Sequence, residues 1–393
     1  MERFEGRLGI QQRVLPAYRA AFFDALAKAC RGGLSVFAGQ PLAEENIATT
    51  SQLQVARYVP ARNLNFFPIR SPVYQCWQAN LVSWLEEWQP DVLILEANSR
   101  YASNRLAIRW MHAHRRPVIG WGLGEPRVGG ILAGWRRRNR LALLKSLDGL
   151  IAYSQRGAEE YRGLDFPAGR VFVAPNAASS RPEAPPVKRA PGFTGRPQVL
   201  FVGRLQARKR IDNLLLACAA LPADLQPHLS IVGDGPARGQ FQSVAEKHYP
   251  RAEFLGARHG PDLEACFNTA DLFVLPGTGG LAVQEAMAHG LPVIVAEGDG
   301  TQEDLVREED GPRPANGWRV PPADLAALTG ALREALSDPA RLRRMGEASF
   351  HIVVEEVNLE TMVAAFTQAA VKVAEAGPIH VTPDTPIHLH GKS

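Results

Sequence analysis

Short runs of apolar residues, each followed by a helical pattern, repeat along this chain from end to end. In the first half they are RLGIQQRV (7–14), LSVFAG (34–39), DVLILE (91–96), PVIGW (117–121), GLIAY (149–153) and VFVAP (171–175). In the second half they are QVLFVG (198–203), LSIVG (229–233), EFLG (253–256), LFVLP (272–276), PVIVA (292–296) and GWRV (317–320). Runs that are apolar throughout, rather than alternating, describe strands buried on both faces, as in a parallel sheet. Segments such as YRAAFFDALAKAC and NRLAIRWMHAHR lie between them with helical spacing. Parallel strands joined by crossover helices make doubly wound α/β domains. A chain of 393 residues has room for about two.

The seam between the halves is visible as SSRPEAPPVKRAPGFTGRP (179–197), rich in Pro and Gly. The expected division is a first domain over 1–180, a linker over 181–197, a second domain over 198–357, and a C-terminal helix and tail over 358–393. NLETMVAAFTQAAVKVAEA (358–376) is the last long amphipathic stretch, and GPIHVTPDTPIHLHGKS after it has no regular pattern. His380, His388 and His390 lie in that tail, where no positioned surroundings would orient them as metal ligands. Two facing doubly wound domains predict a cleft between them. Ligands of such sheets bind outside the carboxyl ends of the strands.

At 46% hydrophobic and 21% charged residues, the composition is that of a globular protein with a sizeable core. Cys30, Cys76, Cys218 and Cys266 are scattered without metal-ligand spacing, which suits buried residues in a reducing compartment. No apolar run reaches the roughly 18 residues needed to cross a bilayer. MERFEGRLGI lacks the apolar core of a signal peptide, so a cytoplasmic location is expected. Residues 1–187 carry 24 basic against 15 acidic side chains, and the remainder 20 against 25. A basic half beside an acidic one suggests that one lobe meets something anionic, although ordinary surface charge would look the same.

Four motifs fall at strand ends of the second half. In FVGRLQARKR (201–210), Gly203 precedes Arg204 and Lys209, two cations at a strand exit that suit a diphosphate or serve as solvated helix-start charges. In IVGDGPARGQF (231–241), Gly233 and Gly235 allow a tight turn close to a planar ligand. The turn after FLG in 253–276 can present backbone groups to a base. In LPGTGGLAVQEAMAHGLPVI (275–294), Gly279, Gly280 and Leu281 offer backbone N–H groups at a helix start, a ready anion site. Glu285 sits one turn inside. It is placed either to accept hydrogen bonds from ribose hydroxyls or merely to complement the helix dipole.

In order, VGRL, IVGDGP, FLG, ADLFVLP, EAMAHGLPVI and NGWRVPPADLAAL (316–328) resemble the donor domain of the retaining family-4 (group 1) glycosyltransferases of GT-B fold. The likeness covers roughly 198–336. The first half is similar in outline, through QRVLPAYRAAFFDAL (12–26) and DGLIAYSQRGAEEYR with VFVAPN (148–176). The resemblance implies two Rossmann-like domains, acceptor-binding over 1–180 and donor-binding over 198–357, with the C-terminal helix returning to the first. It further implies that Arg204 and Lys209 hold the donor diphosphate, that Gly279, Gly280 and Leu281 add backbone donors, and that Glu285 binds the ribose. Arg258 falls where the family reads the base. No cofactor is implied, and no metal, since the cations and the helix start replace one; no paired-Asp metal motif stands at a strand end.

Three departures stand out. The family has Glu, then Glu again eight positions on, and counting back from Glu285 reaches Gly277. The loop is also about three residues short, which leaves Thr278 and the backbone of 277–280 to meet the donor sugar. The Gly that usually follows the Lys is Arg210 here. The His common in the acceptor domain is missing from PVIGWGLGEPR (117–127). Tyr18, Arg19, Glu96, Asn98 and Glu125 are candidates to shape the acceptor site.

RVGGILAGWRRRNRLALLKSL (127–147) is basic and Leu-rich. As a helix it suits either an anionic inner membrane surface, where family members meet lipid-diphosphate-linked acceptors, or solvent. A nucleic-acid partner is not expected, because the Arg cluster has no stacking platform or binding module. The chain is thus expected to move a hexose from a nucleoside diphosphate sugar, UDP-linked first and GDP-mannose second, to a glycan or lipid-linked oligosaccharide of a cell-surface polysaccharide. The alternatives are a non-catalytic scaffold of the same fold that binds a nucleotide sugar or partner enzyme, or a nucleotide-sugar epimerase.

Overall fold

The computed structural model describes residues 2–379 apart from 46, 126–128, 131, 280, 299 and 310–312. His380, His388 and His390 lie outside the described residues. The chain divides into two compact units. One is Ser179–Asn358, and the other takes the residues on either side of it.

The first unit is built on a seven-stranded, all-parallel sheet. Its order is Arg57–Pro60, Leu34–Gly39, Leu8–Val14, Val92–Glu96, Val118–Gly122, Gly149–Ala152 and Val171–Val173. Strand Val92–Glu96 shows why the apolar runs are continuous. Val92 and Ile94 enter the core on one face, and Leu93 and Leu95 the core on the other. Helices Leu81–Trp88 and Asn104–Ala113 cover the second face. The first is covered by helix Ala20–Lys28 and by the C-terminal helix Leu359–Ala376.

That C-terminal helix returns to the first unit, as the resemblance implied. Leu359, Met362, Val363, Phe366, Ala370 and Val373 form its buried stripe. Phe366 meets Phe22 and Trp121 edge-on at 4.9 and 4.8 Å between ring centres. Burying one such ring is worth about 1.5–3 kcal/mol.

Two elements carry no apolar run and escape the sequence reading. The edge strand Arg57–Pro60 is largely exposed. Strands Asn63–Phe66 and Gln75–Gln78 pair as an antiparallel hairpin inserted before helix Leu81–Trp88. Half-buried strands at an edge need no continuous apolar sequence.

The second unit has six parallel strands in the order Ala252–Gly256, His228–Val232, Gln198–Val202, Leu272–Leu275, Val293–Ala296 and Gly317–Val320. The stretch read as a linker is fastened along this unit. Arg189 donates to the carbonyl oxygens of Phe267, Ala270, His289 and Gly290 at 2.7 to 3.3 Å. In each sheet the strand order reverses beside the first strand. The two points lie between Leu8–Val14 and Val92–Glu96, and between Gln198–Val202 and Leu272–Leu275. The crevice outside the carboxyl ends at such a point is where doubly wound sheets take ligands.

Candidate active site

In the second unit, neighbouring strands run out into Gly203–Arg204 and Pro276–Gly277–Thr278. A backbone lattice holds the adjoining loops. Gly203 N donates to Val232 O at 3.0 Å, Leu205 N to Asp234 O at 2.9 Å, and Gly233 N to Gly256 O at 2.8 Å. Gly235 lies so close to this lattice that a Cβ would stand 2.4 Å from Leu205 O. Half-buried Arg204 stands at the exit of the first strand.

Lys209 ends the short turn Ala207–Lys209 and is 5% exposed. Its Nζ donates to the carbonyl oxygens of Thr278 and Gly279, both at 2.9 Å. Burial, and then the nearby Arg208 charge, pull its pKa down to about 8. The two sequence-distant loops are therefore one structure, with the ammonium at their junction. Helix Ala282–Ala288 begins after Leu281. Gly280 lies outside the described residues. Glu285, in the first helical turn, is half-buried, and its carboxyl is pushed up by burial and then by Glu264. Arg258 is exposed past strand Ala252–Gly256, with Asp262 at 3.9 Å.

The first unit has a cavity of about 350 Å³ at the carboxyl ends of strands Val92–Glu96, Val118–Gly122 and Gly149–Ala152. Of the acceptor candidates, Glu96 and Asn98 line it. Glu96 Oε2 accepts from Arg13 N at 2.8 Å. Burial raises the Glu96 pKa to about 7 against the opposing Arg13 and Arg19 charges. Glu125 is tied to Arg137 Nε at 2.8 Å. Tyr18 is 46% exposed. Arg19 is buried instead, with its guanidinium 4.7 Å from the Trp121 ring and 2.7 Å from Asn176 Oδ1. It packs against Trp121 and Tyr153, which line the cavity, and so supports that wall.

Residues 186–351 match the family described as glycosyl transferases group 1. The chain is also 30% identical over 273 residues to a GDP-mannose-dependent alpha-mannosyltransferase of Mycobacterium tuberculosis, spanning 64% of this chain and 67% of that one.

The chain belongs to the group 1 glycosyltransferases.

Other curated relatives are matched over less than half of their length. Among solved structures, sucrose-phosphate synthase from Thermosynechococcus elongatus superposes with a TM-score of 0.69 at 21% identity, over 94% of this chain and 99% of that one. Anabaena HepE in complex with UDP superposes at 0.68 and 17% identity, over 95% and 100%. Likeness at this identity speaks to the fold, which is GT-B.

Two departures of this glycosyltransferase from its family now have physical reasons. A Cβ on Gly277 would lie 2.2 Å from Arg208 O and 2.5 Å from Lys209 Cα. The shortened loop presses directly on the Arg208–Lys209 turn, so the position has no room for any side chain. Arg210 takes φ 54°, ψ 38°, left-handed values that a glycine adopts without strain. Its guanidinium is held by Asn213 Oδ1 at 3.0 Å.

The residues that sequence reasoning missed are Arg100, Arg136 and Arg140. The last two were visible only as part of a basic helix. That helix is Ala133–Leu144, and it buries only Leu143 and Leu144. All three residues line the first unit's cavity. Arg100 comes from a loop some thirty residues earlier, so no local pattern joins them.

Proposed function

We propose that this glycosyltransferase retains anomeric configuration and uses a nucleoside diphosphate hexose, GDP-mannose first, to extend a glycan or lipid-linked acceptor of the cell surface. The observation that carries the donor side is the junction of Lys209 with the Thr278–Gly279 carbonyls, on the loop that leaves strand Gln198–Val202 through Arg204. On this reading the diphosphate draws the ammonium off the carbonyls. Lys209 and Arg204 then neutralise charge as the sugar–phosphate bond breaks. The Glu285 carboxylate has no hydrogen-bond partner among the described residues, which leaves it free to orient the ribose. A metal is not required, because the two cations answer the diphosphate charge; transfer should persist in a chelator.

The sequence reading put UDP-sugars ahead of GDP-mannose. The relative matched over two thirds of its length is named for GDP-mannose, and sequence likeness bears on specificity more directly than fold likeness. UDP-hexose is the second reading, favoured by the UDP-bound HepE structure. Peripheral contact of the basic helix Ala133–Leu144 with an anionic membrane belongs to the same proposal. No described helix is long and apolar enough to cross a membrane.

The test is a calorimetric panel of GDP, UDP, ADP and TDP with their sugars, followed by transfer assays of Arg204→Ala and Lys209→Ala. Each variant should lose on the order of 100-fold or more in rate. Full activity in both would defeat the donor assignment. Nucleotide binding without transfer to any glycan extract would favour the scaffold alternative.

A further inference from the structure

The cavity of the first unit sets three arginines against one wall carboxyl, Glu96, which burial keeps largely protonated up to about pH 7. Arg100, Arg136 and Arg140 line it, and among the described residues none has a carboxylate within ion-pair distance. Their neighbour Arg137 does, in Glu125 at 2.8 Å. Arg100 is oriented by the carbonyl oxygens of Ile69 and Ser71 at 3.2 and 2.5 Å, and Arg140 by that of Gly124. The Nε atoms of both are buried without a hydrogen-bond partner. Carbonyl oxygens orient a guanidinium but do not neutralise it.

After burial, the Arg136 charge is the next influence that holds the Arg100 pKa below its ordinary value, so like charges lie close together here. Trp121 is 2% exposed, and its indole N–H, also without a partner, belongs to the same wall. Buried donors left open in this way point to an absent acceptor. A monoanionic carboxylate would balance one guanidinium. Three of them match the two or more charges of a phosphoryl group, which arginine forks bind well. Trp135, 49% exposed, and Tyr153 add aromatic faces. The volume is near the lower end of the usual 300–1,000 Å³ for ligand pockets, roughly a sugar with its phosphate.

We infer that this cavity binds the phosphoryl group of a phosphorylated or diphosphate-linked acceptor, with Arg100, Arg136 and Arg140 as its cationic wall. The inference rests on the proposed transferase activity and names the acceptor class for it.

The full-length protein is saturated with GDP or UDP, whichever binds, to fill the donor side. Inorganic pyrophosphate, glucose 1-phosphate and a short-chain prenyl diphosphate in detergent are then titrated by calorimetry. The comparison is between wild type, Arg136→Gln and Arg136→Glu, since Arg136 is half-exposed and its guanidinium makes no hydrogen bond or ion pair among the described residues. Wild type should bind at least one phosphate, Arg136→Gln should bind it at least tenfold more weakly, and Arg136→Glu should show no binding. Nucleotide affinity should be unchanged in both variants. Preference for the prenyl diphosphate identifies a lipid-linked acceptor, and preference for glucose 1-phosphate a soluble phosphate ester. No phosphate bound to wild type, or affinities within twofold in both variants, would overturn the inference. A wild type that binds no nucleotide strikes the donor reading alone, because the phosphate titrations run without nucleotide still decide the cavity.

Discussion

The loops at strand ends in the second unit and the cavity at strand ends in the first solve the same problem with different material. Around Gly233, Gly235 and Gly277 the work is done by backbone, packed too closely for side chains, with Lys209 as a buried cation at the junction. In the first unit the wall is made of side chains, with three arginines, a carboxyl of raised pKa and aromatic faces around an open volume. A backbone-built site must keep glycines at fixed spacing, so it leaves an ordered motif in the sequence. A side-chain-built site can draw its groups from any loop that reaches the cavity, and leaves almost no motif. The glycine-built loops of the second unit, which fall within the family match over residues 186–351, are legible; the side-chain wall of the first unit, outside that match, is not.

The sharpest way to break this contrast is Gly277→Ala. If the approach to Arg208 O is as tight as 2.2 Å implies, the methyl group should destabilise the protein by about 2–3 kcal/mol and weaken nucleotide binding. Denaturant midpoints near wild type would show that the loop yields, and that side chains are merely absent there rather than excluded.

Next in size is a pH effect on the donor side. The Lys209 pKa is about 8 without ligand, and a bound diphosphate should raise it. The charge that attracts the diphosphate is present below pH 8 and lost above it, so nucleotide affinity should fall about tenfold between pH 7 and 9. Lys209→Arg stays charged and should give a flat profile. A flat wild-type profile would remove Lys209 from the diphosphate.

A smaller effect tests the side-chain region. With its pKa near 7, Glu96 holds its proton in the folded protein up to that pH, whereas the unfolded chain releases it near 4.5. Its contribution to stability is fully present below 4.5 and is lost as pH rises through 7. Arg13, Arg19, Cys76, Tyr101 and Tyr153 are ionisable groups around it. Glu96→Gln, which can still accept from Arg13 N, should therefore gain stability over wild type at pH 8 and none at pH 4.5, read from unfolding curves. Smallest is Arg210→Gly. Relief of the left-handed strain and the greater freedom of an unfolded glycine nearly cancel, which leaves about 0.5 kcal/mol on the stabilising side. A loss above 1 kcal/mol would show that the bond to Asn213 matters more than the strain.

Much of the fold was legible because burial on both sheet faces demands unbroken apolar runs. All twelve expected strands are present, within a residue or two at their ends. The edge strand Arg57–Pro60 and the hairpin after it were not legible, since half-exposed strands are free of that demand. On the donor side, Arg204, Lys209 and Glu285 were marked by ordered motifs. Their junction was not, because the contact from Lys209 to Thr278 and Gly279 spans about seventy residues.

The sequence by itself determined the doubly wound architecture, the family, and which strand ends carry its glycine-rich motifs, since periodicity and glycine spacing are local properties of the chain. Only the tertiary structure decided why position 277 bears no carboxylate, that Arg19 is a buried support, and that Arg100, Arg136 and Arg140 face one cavity. Each of those facts depends on distances between segments far apart in sequence, set by how the strands are ordered in the sheet.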